Sequence, residues 1–193
     1  MKHFSELSPS AERIVNAAED LVQQFGFNGF SFEDIAQVVG IRKPSIYHHF
    51  PSKHELVAVM TQRYTHRFCA RLEDIEASFG GATERLQGHA ALFSESLGKE
   101  GRLCACGILG AERNSLPESL RLQVKDFFTR NVTWLENVIV AGQKQGQLID
   151  TVPAAQLAQL WLSAQEGALL VGGTYQGPTP ESIACALLAS WQR

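Results

Sequence analysis

Residues 26–56 read GFNGFSFEDIAQVVGIRKPSIYHHFPSKHEL, and the helix starts and stops inside this stretch decide the fold. Ser31 is placed to cap a helix that carries Glu33 and Asp34 at its positive end, with Ile35, Ala36, Val38 and Val39 as the inner face. Gly40 ends that helix after about two turns. A third helix is predicted over 44–50, since proline is tolerated in a first turn, and Pro51-Ser52 then breaks the chain and caps a longer helix over 53–79. Upstream, the spacing predicts a helix over 10–25, with Ser10 as cap and Ile14, Ala17, Ala18, Leu21, Val22 and Phe25 as one apolar stripe, stopped by Gly26. Two short helices around a glycine turn, preceded by a longer one, form a helix-turn-helix unit whose last helix is shaped to enter a DNA major groove.

Outward from this unit the apolar spacing stays helical, with no internal repeat and almost no strand signal. Glycines and prolines mark off further helices near 82–98, 103–113, 117–145, 153–172 and 179–192, so the fold class is all-α. The division expected is 1–52 for the three-helix unit and 53–193 for a C-terminal helical domain. The helix from Pro153 onward is apolar on most sides and rich in small residues, so it needs cover from its own domain and is suited to a second subunit. A homodimer pairing 153–172 with 181–191 across a two-fold axis is the expectation, with Ala164 and Ala168 in the contact.

The chain of 193 residues is 45% hydrophobic, enough for one good core or two small ones. No apolar run reaches membrane-spanning length and the N-terminus lacks a secretory pattern, so a cytoplasmic location is expected. Cys69, Cys104, Cys106 and Cys185 lack metal-site spacing and are expected to be thiols, with no metal and no cofactor. The formal charge of -3 is unevenly placed. Through Arg67 there are seven Lys/Arg against seven Asp/Glu, so the acidic excess lies C-terminally. From Arg42 to His54 the chain carries Arg42, Lys43, His48, His49, Lys53 and His54 with no acid, a local positive strip suited to phosphate.

In the quoted stretch Ile35, Ala36, Val39, Ile41, Ile46 and Phe50 form the locking set of the small bundle. Arg42, Lys43, Pro44, Ser45, Tyr47 and His48 lie at the start and on the outer face of the third helix. Arginine or lysine there addresses guanine edges or phosphates, a proline ring packs on a thymine methyl, and hydroxyls donate to phosphate oxygens. A three-helix packing unit that binds no DNA is the competing reading, and each histidine reads equally well as a solvated surface residue. An enzyme is disfavoured: G-x-S-x-G, Walker, G-x-G-x-x-G and H-E-x-x-H patterns are all lacking. A pure interaction bundle would leave the positive strip without purpose.

The same stretch resembles the signature of the TetR family of transcriptional regulators, through Gly26-Phe27, Asp34-Ile35-Ala36, Gly40-Ile41, Ile46-Tyr47, Phe50, Ser52-Lys53 and Glu55-Leu56. The resemblance implies that Lys43, Pro44, Ser45, Tyr47, His48 and His49 are recognition-helix positions, that Lys53 is a phosphate clamp and that Ser31 contacts the DNA backbone. Arg42 departs from the pattern, since family members often carry a small capping hydroxyl there. The resemblance also implies a repressor on an inverted-repeat duplex operator, released by a small-molecule effector bound in the C-terminal domain. Candidate walls are Phe93, Leu97, Phe127, Trp134, Trp161 and Gln165, each of which reads also as ordinary core. LCACGILGAE (103–112) is similar to the region in which some members sense electrophiles through a cysteine, with Cys104 in the matching position and Cys106 as second candidate. A thiol at a helix start beside Gly101-Arg102 would favour the thiolate. Buried packing is the alternative for both cysteines.

Overall fold

The computed structural model describes residues 3–98, 102–175 and 177–192, with the side chains of Leu97, Gly98 and Tyr175 also outside the described set. Among the described residues the chain forms α1 (Pro9–Phe25), α2 (Phe32–Val39), α3 (Lys43–His49), α4 (Lys53–Ser78), α5 (Ala82–Gly98), α6 (Ala105–Ala111), α7 (Glu118–Lys144), α8 (Ala154–Tyr175) and α9 (Pro180–Trp191), preceded by a short 3-10 turn at Phe4–Glu6. The all-α expectation holds. No helix of the described residues is long and apolar enough to cross a membrane.

The chain groups into two compact units. The first is Met1–Arg67 with Ala105–Phe127, and the second is Phe68–Cys104 with Phe128–Arg193. In the first, α1 packs on α2, α3 and α6, and α2 packs on α3. Its core is Ile14, Val15, Ala18 and Val22 of α1, Ile35 and Ala36 of α2, Ile46, Phe50, and Leu56, Val57 and Met60 at the start of α4. In the second, α5 packs on α8 and α9, and α8 on α9. Leu86, Phe93, Leu135, Ile139, Trp161 and Leu188 lie buried there. Its C-terminus is tied down where the Ile149 amide donates to the Trp191 carbonyl at 2.8 Å.

Several element ends and faces depart from the periodicity. Ser8, not Ser10, caps α1: its hydroxyl accepts from the Ala11 amide at 3.3 Å, and Pro9 opens the first turn with a φ already suited to helix. Phe25 is 56% exposed although it falls on the apolar stripe. Val38 is 61% exposed. At about 100° per residue it lies roughly 110° from the centre of the face made by Phe32, Ile35, Ala36 and Val39. α8 continues through Gly172 to Tyr175. Glycine there serves close approach rather than termination, since a side-chain carbon would stand 2.8 Å from the Pro178 carbonyl oxygen. Ala168, expected in a subunit contact, is buried within its own unit.

Candidate nucleic-acid interface

Three short-range devices set α2 and α3. Ser31 caps α2, accepting from the Glu33 amide at 3.2 Å, while the Ser31 amide and hydroxyl both donate to Asp34 Oδ2 at 2.7 Å. These bonds, the side-chain one foremost, hold the Asp34 carboxyl below the ordinary aspartate range. At the other end Gly40 takes a left-handed conformation, φ 72° and ψ 39°, which lets its amide return to the Ala36 carbonyl at 3.0 Å and turns the chain toward α3. Arg13 of α1 donates to the Val39 carbonyl at 2.6 Å, a cation placed where the last turn of α2 has unpaired carbonyls.

α3 is anchored by two side chains and exposes the others. Ile46 and Phe50, four residues apart, are buried, whereas Arg42, Lys43, Pro44, Ser45, Tyr47 and His48 are exposed and His49 is half-buried. Arg42 makes no side-chain cap, as its chemistry dictates; the Ser45 amide instead reaches the Arg42 carbonyl at 2.9 Å, leaving the guanidinium outside the helix. Tyr47 is 50% exposed and stands edge-on to Phe32, ring centroids 5.0 Å apart, which orients the phenol without burying it. The result is an exposed surface bearing two basic side chains, a hydroxyl, a phenol and an imidazole.

Lys53 is more engaged than its sequence position suggested. The Lys53 ammonium donates to the Phe30 carbonyl and lies 4.0 Å and 4.9 Å from the ring centres of Phe30 and Phe27. Burial holds it below the ordinary lysine range, against the opposing pull of Glu112 and Asp34.

Glu112 carries a role that sequence reading missed. Its carboxylate accepts from the Phe27 amide, from the Asn28 amide at 3.3 Å and from the Asn28 side chain at 3.0 Å, and Asn28 also donates to Ser115 at 2.8 Å. Gly26, φ 75°, makes room: a side-chain carbon there would stand 2.7 Å from the carboxylate.

The candidate effector residues divide between the units. Phe127 belongs to the first, with its ring 5.6 Å from that of Tyr64. Phe93, Trp134, Trp161 and Gln165 belong to the second, and the Leu97 side chain lies outside the described residues. There a buried imidazole organises the neighbourhood. Trp161 Nε1 donates to His89 Nδ1 at 3.2 Å, which leaves the proton of the neutral ring on Nε2 for Asn131 Oδ1 at 3.3 Å. Burial pushes His89 down to about 4, against the Asn131 bond, so the ring is neutral at physiological pH. Trp134 stacks on it at 5.8 Å and Phe93 lies tilted at 5.1 Å. Gln165 is fully buried.

Both candidate cysteines are buried, Cys104 just before α6 and Cys106 within it. Gly101 lies outside the described residues. Cys104 shares a hydrogen bond with Glu166, whose carboxyl burial pushes up to about 7 against that bond. A carboxyl beside the thiol works against the thiolate that a helix start and Arg102 were expected to favour. Among the described residues no cluster of three His, Cys, Asp or Glu could hold a metal.

The family model for bacterial regulatory proteins of the tetR family matches residues 14–60, which span α1 to the first turns of α4. A TetR-family transcriptional regulator from Agrobacterium tumefaciens, of known crystal structure, is 30% identical, covers 95% of this chain and 98% of its own, and superposes with a TM-score of 0.91. A TetR regulator from Legionella pneumophila is 31% identical with a TM-score of 0.86, over 97% of this chain and 100% of its own. The HTH-type transcriptional repressor DhaR of Mycobacterium sp. (strain GP1) is 24% identical over 84% of this chain and 82% of that protein. With a helix-turn-helix built from these residues and whole-chain likeness of this degree, the chain belongs to the TetR family of DNA-binding transcriptional regulators, which are not enzymes.

Proposed function

We propose that this regulator is a homodimeric repressor that reads an inverted-repeat operator through the outer face of α3 and leaves it when the second unit takes up an effector. The observation that carries the reading is the division of α3: Ile46 and Phe50 fix the helix while Arg42, Lys43, Pro44, Ser45, Tyr47 and His48 stay exposed in a strip without acids. Lys43 and Arg42 are assigned to guanine edges or phosphates, Tyr47 and Ser45 to phosphate oxygens, and His48 and His49 to the groove edge. Ser31 and Lys53 are assigned to the DNA backbone, Lys53 also holding the entry to α2 through Phe30. In this reading residues 1–52 recognise DNA, and 53–193 sense and dimerise.

Dimerisation is supported by the outer face of α8. Leu160, Leu170 and Val171 are large apolar residues about half or more exposed, on a stripe with Ser163, Gly167 and Thr174. Cys185, Ala186 and Ala189 of α9 are exposed as well, so the two helices offer a four-helix contact across a two-fold axis. Two recognition helices then meet major grooves about 34–36 Å apart. Effector release is supported by the cluster in which Phe93, Trp134 and Trp161 surround the buried His89, with Gln165 buried one turn from Trp161. Modification of Cys104 or Cys106 is a second route, in which an electrophile would insert bulk at the packed start of α6. A gel-shift titration on the chain's own upstream DNA at two salt concentrations tests the core of the proposal. Salt-sensitive, sequence-selective binding lost in Lys43→Ala and Tyr47→Ala is expected, and unchanged affinity in both variants overturns the assignment of α3.

A further inference from the structure

Among the described residues of the second unit, Gln165 leaves two buried polar atoms unsatisfied. It is fully buried on α8, yet neither its Oε1 nor its Nε2 has a partner. A primary amide carries two donors and an acceptor, and burying all of them unpaired is disfavoured enough that folds rarely keep such a group without using it. One turn earlier on the same side of α8 stands Trp161, whose N–H is held by His89. On the face of that imidazole lies Trp134, whose own Nε1 is buried and also unpartnered. The second unit thus holds a buried, unused amide one turn from Trp161, whose indole is tied to a His89 ring flanked by Trp134 and Phe93.

We propose that Gln165 is the polar anchor of a binding site for an uncharged, planar carboxamide or lactam; this rests on the reading that the second unit takes up the effector. The pattern of donors and acceptors selects the class. A ligand amide placed edge to edge with Gln165 receives one hydrogen bond on its carbonyl and gives one from its N–H, satisfying both orphaned atoms together. A carboxylate could accept but not return the donor that Gln165 Oε1 needs, and the imidazole nearest to it is neutral, with both its nitrogens occupied. A plain hydrocarbon would leave the amide unpaired, so it gains packing but no pairing. Glu166, the next residue, projects about 100° away around α8 and is not part of this edge.

Full-length protein is titrated with benzamide, benzoate and toluene, read by tryptophan fluorescence and by thermal melting, with wild type and Gln165→Leu in parallel. Benzamide is expected to bind wild type saturably and at least tenfold more tightly than the other two, and to raise its melting temperature. Gln165→Leu is expected to melt at or above the wild-type temperature without ligand, because an unpaired buried amide has been replaced by an apolar group, and to lose the tenfold preference for benzamide. Equal binding of benzamide and toluene by wild type overturns the proposal, as does an unchanged preference in Gln165→Leu. A lower melting temperature of unliganded Gln165→Leu overturns it as well, since the amide would then be paired in the empty protein. Operator release is measured separately by gel shift. Benzamide that binds through Gln165 yet leaves DNA bound refutes effector sensing at this site while the site itself stands.

Discussion

His89 and Glu166, both in the second unit, make the stability of the protein depend on pH in opposite directions. The imidazole takes up a proton below about 6.5 in the unfolded chain but only near 4 in the folded one. Stability is therefore lost as pH falls from about 6.5 toward 4, because the unfolded state binds the extra proton. The carboxyl of Glu166 keeps its proton up to about 7 in the folded chain, whereas the unfolded chain releases it above 4.5. Here stability is lost as pH rises from 4.5 through 7, because the folded state must give up a proton it holds more tightly. Each gap corresponds to about 3 kcal/mol, so between pH 4.5 and 6.5 the two slopes nearly cancel. Glu166→Gln removes one arm: its stability relative to wild type is expected to climb by about 3 kcal/mol between pH 4.5 and 7.5. His89→Gln removes the other, and whatever it costs at pH 7.5, it is expected to recover a similar amount against wild type by pH 4. Urea midpoints at half-unit pH steps and fixed protein concentration measure both, and taking differences from wild type removes the remaining carboxylates. A Glu166→Gln difference that stays flat from pH 4.5 to 7.5 would refute the assignment of a buried, protonated carboxyl.

Lys43→Ala is expected to lower operator affinity by about 1–3 kcal/mol if it reads a base, with the melting temperature nearly unchanged because the side chain is exposed. Lys53→Ala is expected to weaken binding to all sequences alike, flatten the salt dependence of a gel shift, and also lower the melting temperature, since it frees the Phe30 carbonyl. Leu170→Glu places a charge on the exposed α8 stripe; sedimentation is expected to show a monomer at micromolar concentration with reduced operator affinity, and an intact dimer would move the interface elsewhere. Under an alkylating agent, Cys104→Ser is expected to stay on DNA while wild type is released. If the two respond alike, Cys104 is a packing residue.

What was legible in the sequence was what local chemistry decides. Ser31, Asp34 and Gly40 fixed the ends of α2 from a span of ten residues, and the four-residue separation of Ile46 and Phe50 was enough to place Lys43, Ser45 and Tyr47 outward. Val38 shows the limit of the same reasoning, because i+3 from Ile35 satisfies a helical count while lying on the flank of an eight-residue helix. Groups that depend on distant partners could not be read. Glu112 is 85 residues from the amide it holds, and its own neighbours in sequence mark it only as a surface acid. His89 likewise stands on a helix of mixed composition, with nothing nearby in the chain to announce that Trp161 and Asn131 would fix its tautomer. Gln165 was named as a wall residue by resemblance alone; that its amide would be buried and unpaired depends on what packs around α8.

The turn between α1 and α2 is gripped from two sides within the first unit, and this decides how rigidly α3 is presented. From one side Glu112, just past the end of α6, takes the amides of Phe27 and Asn28, a geometry that Gly26 alone permits. From the other, Lys53 at the start of α4 lies on the rings of Phe27 and Phe30 and donates to the Phe30 carbonyl, one residue before the Ser31 cap of α2. Charged groups that close several hydrogen bonds onto one short turn leave it few ways to move alone. α2 is fixed at its start by this turn and at its end by Arg13 on Val39, and α3 follows it through the tight Gly40 turn. A displacement of α6 must therefore either break the Glu112 bonds or pull on the turn, and with it on α2 and the exposed face of α3. The second outcome keeps the Glu112 bonds but works against Lys53 on Phe30 and Arg13 on Val39, which hold α2 to α4 and α1, so Glu112 ties the end of α6 to the start of α2.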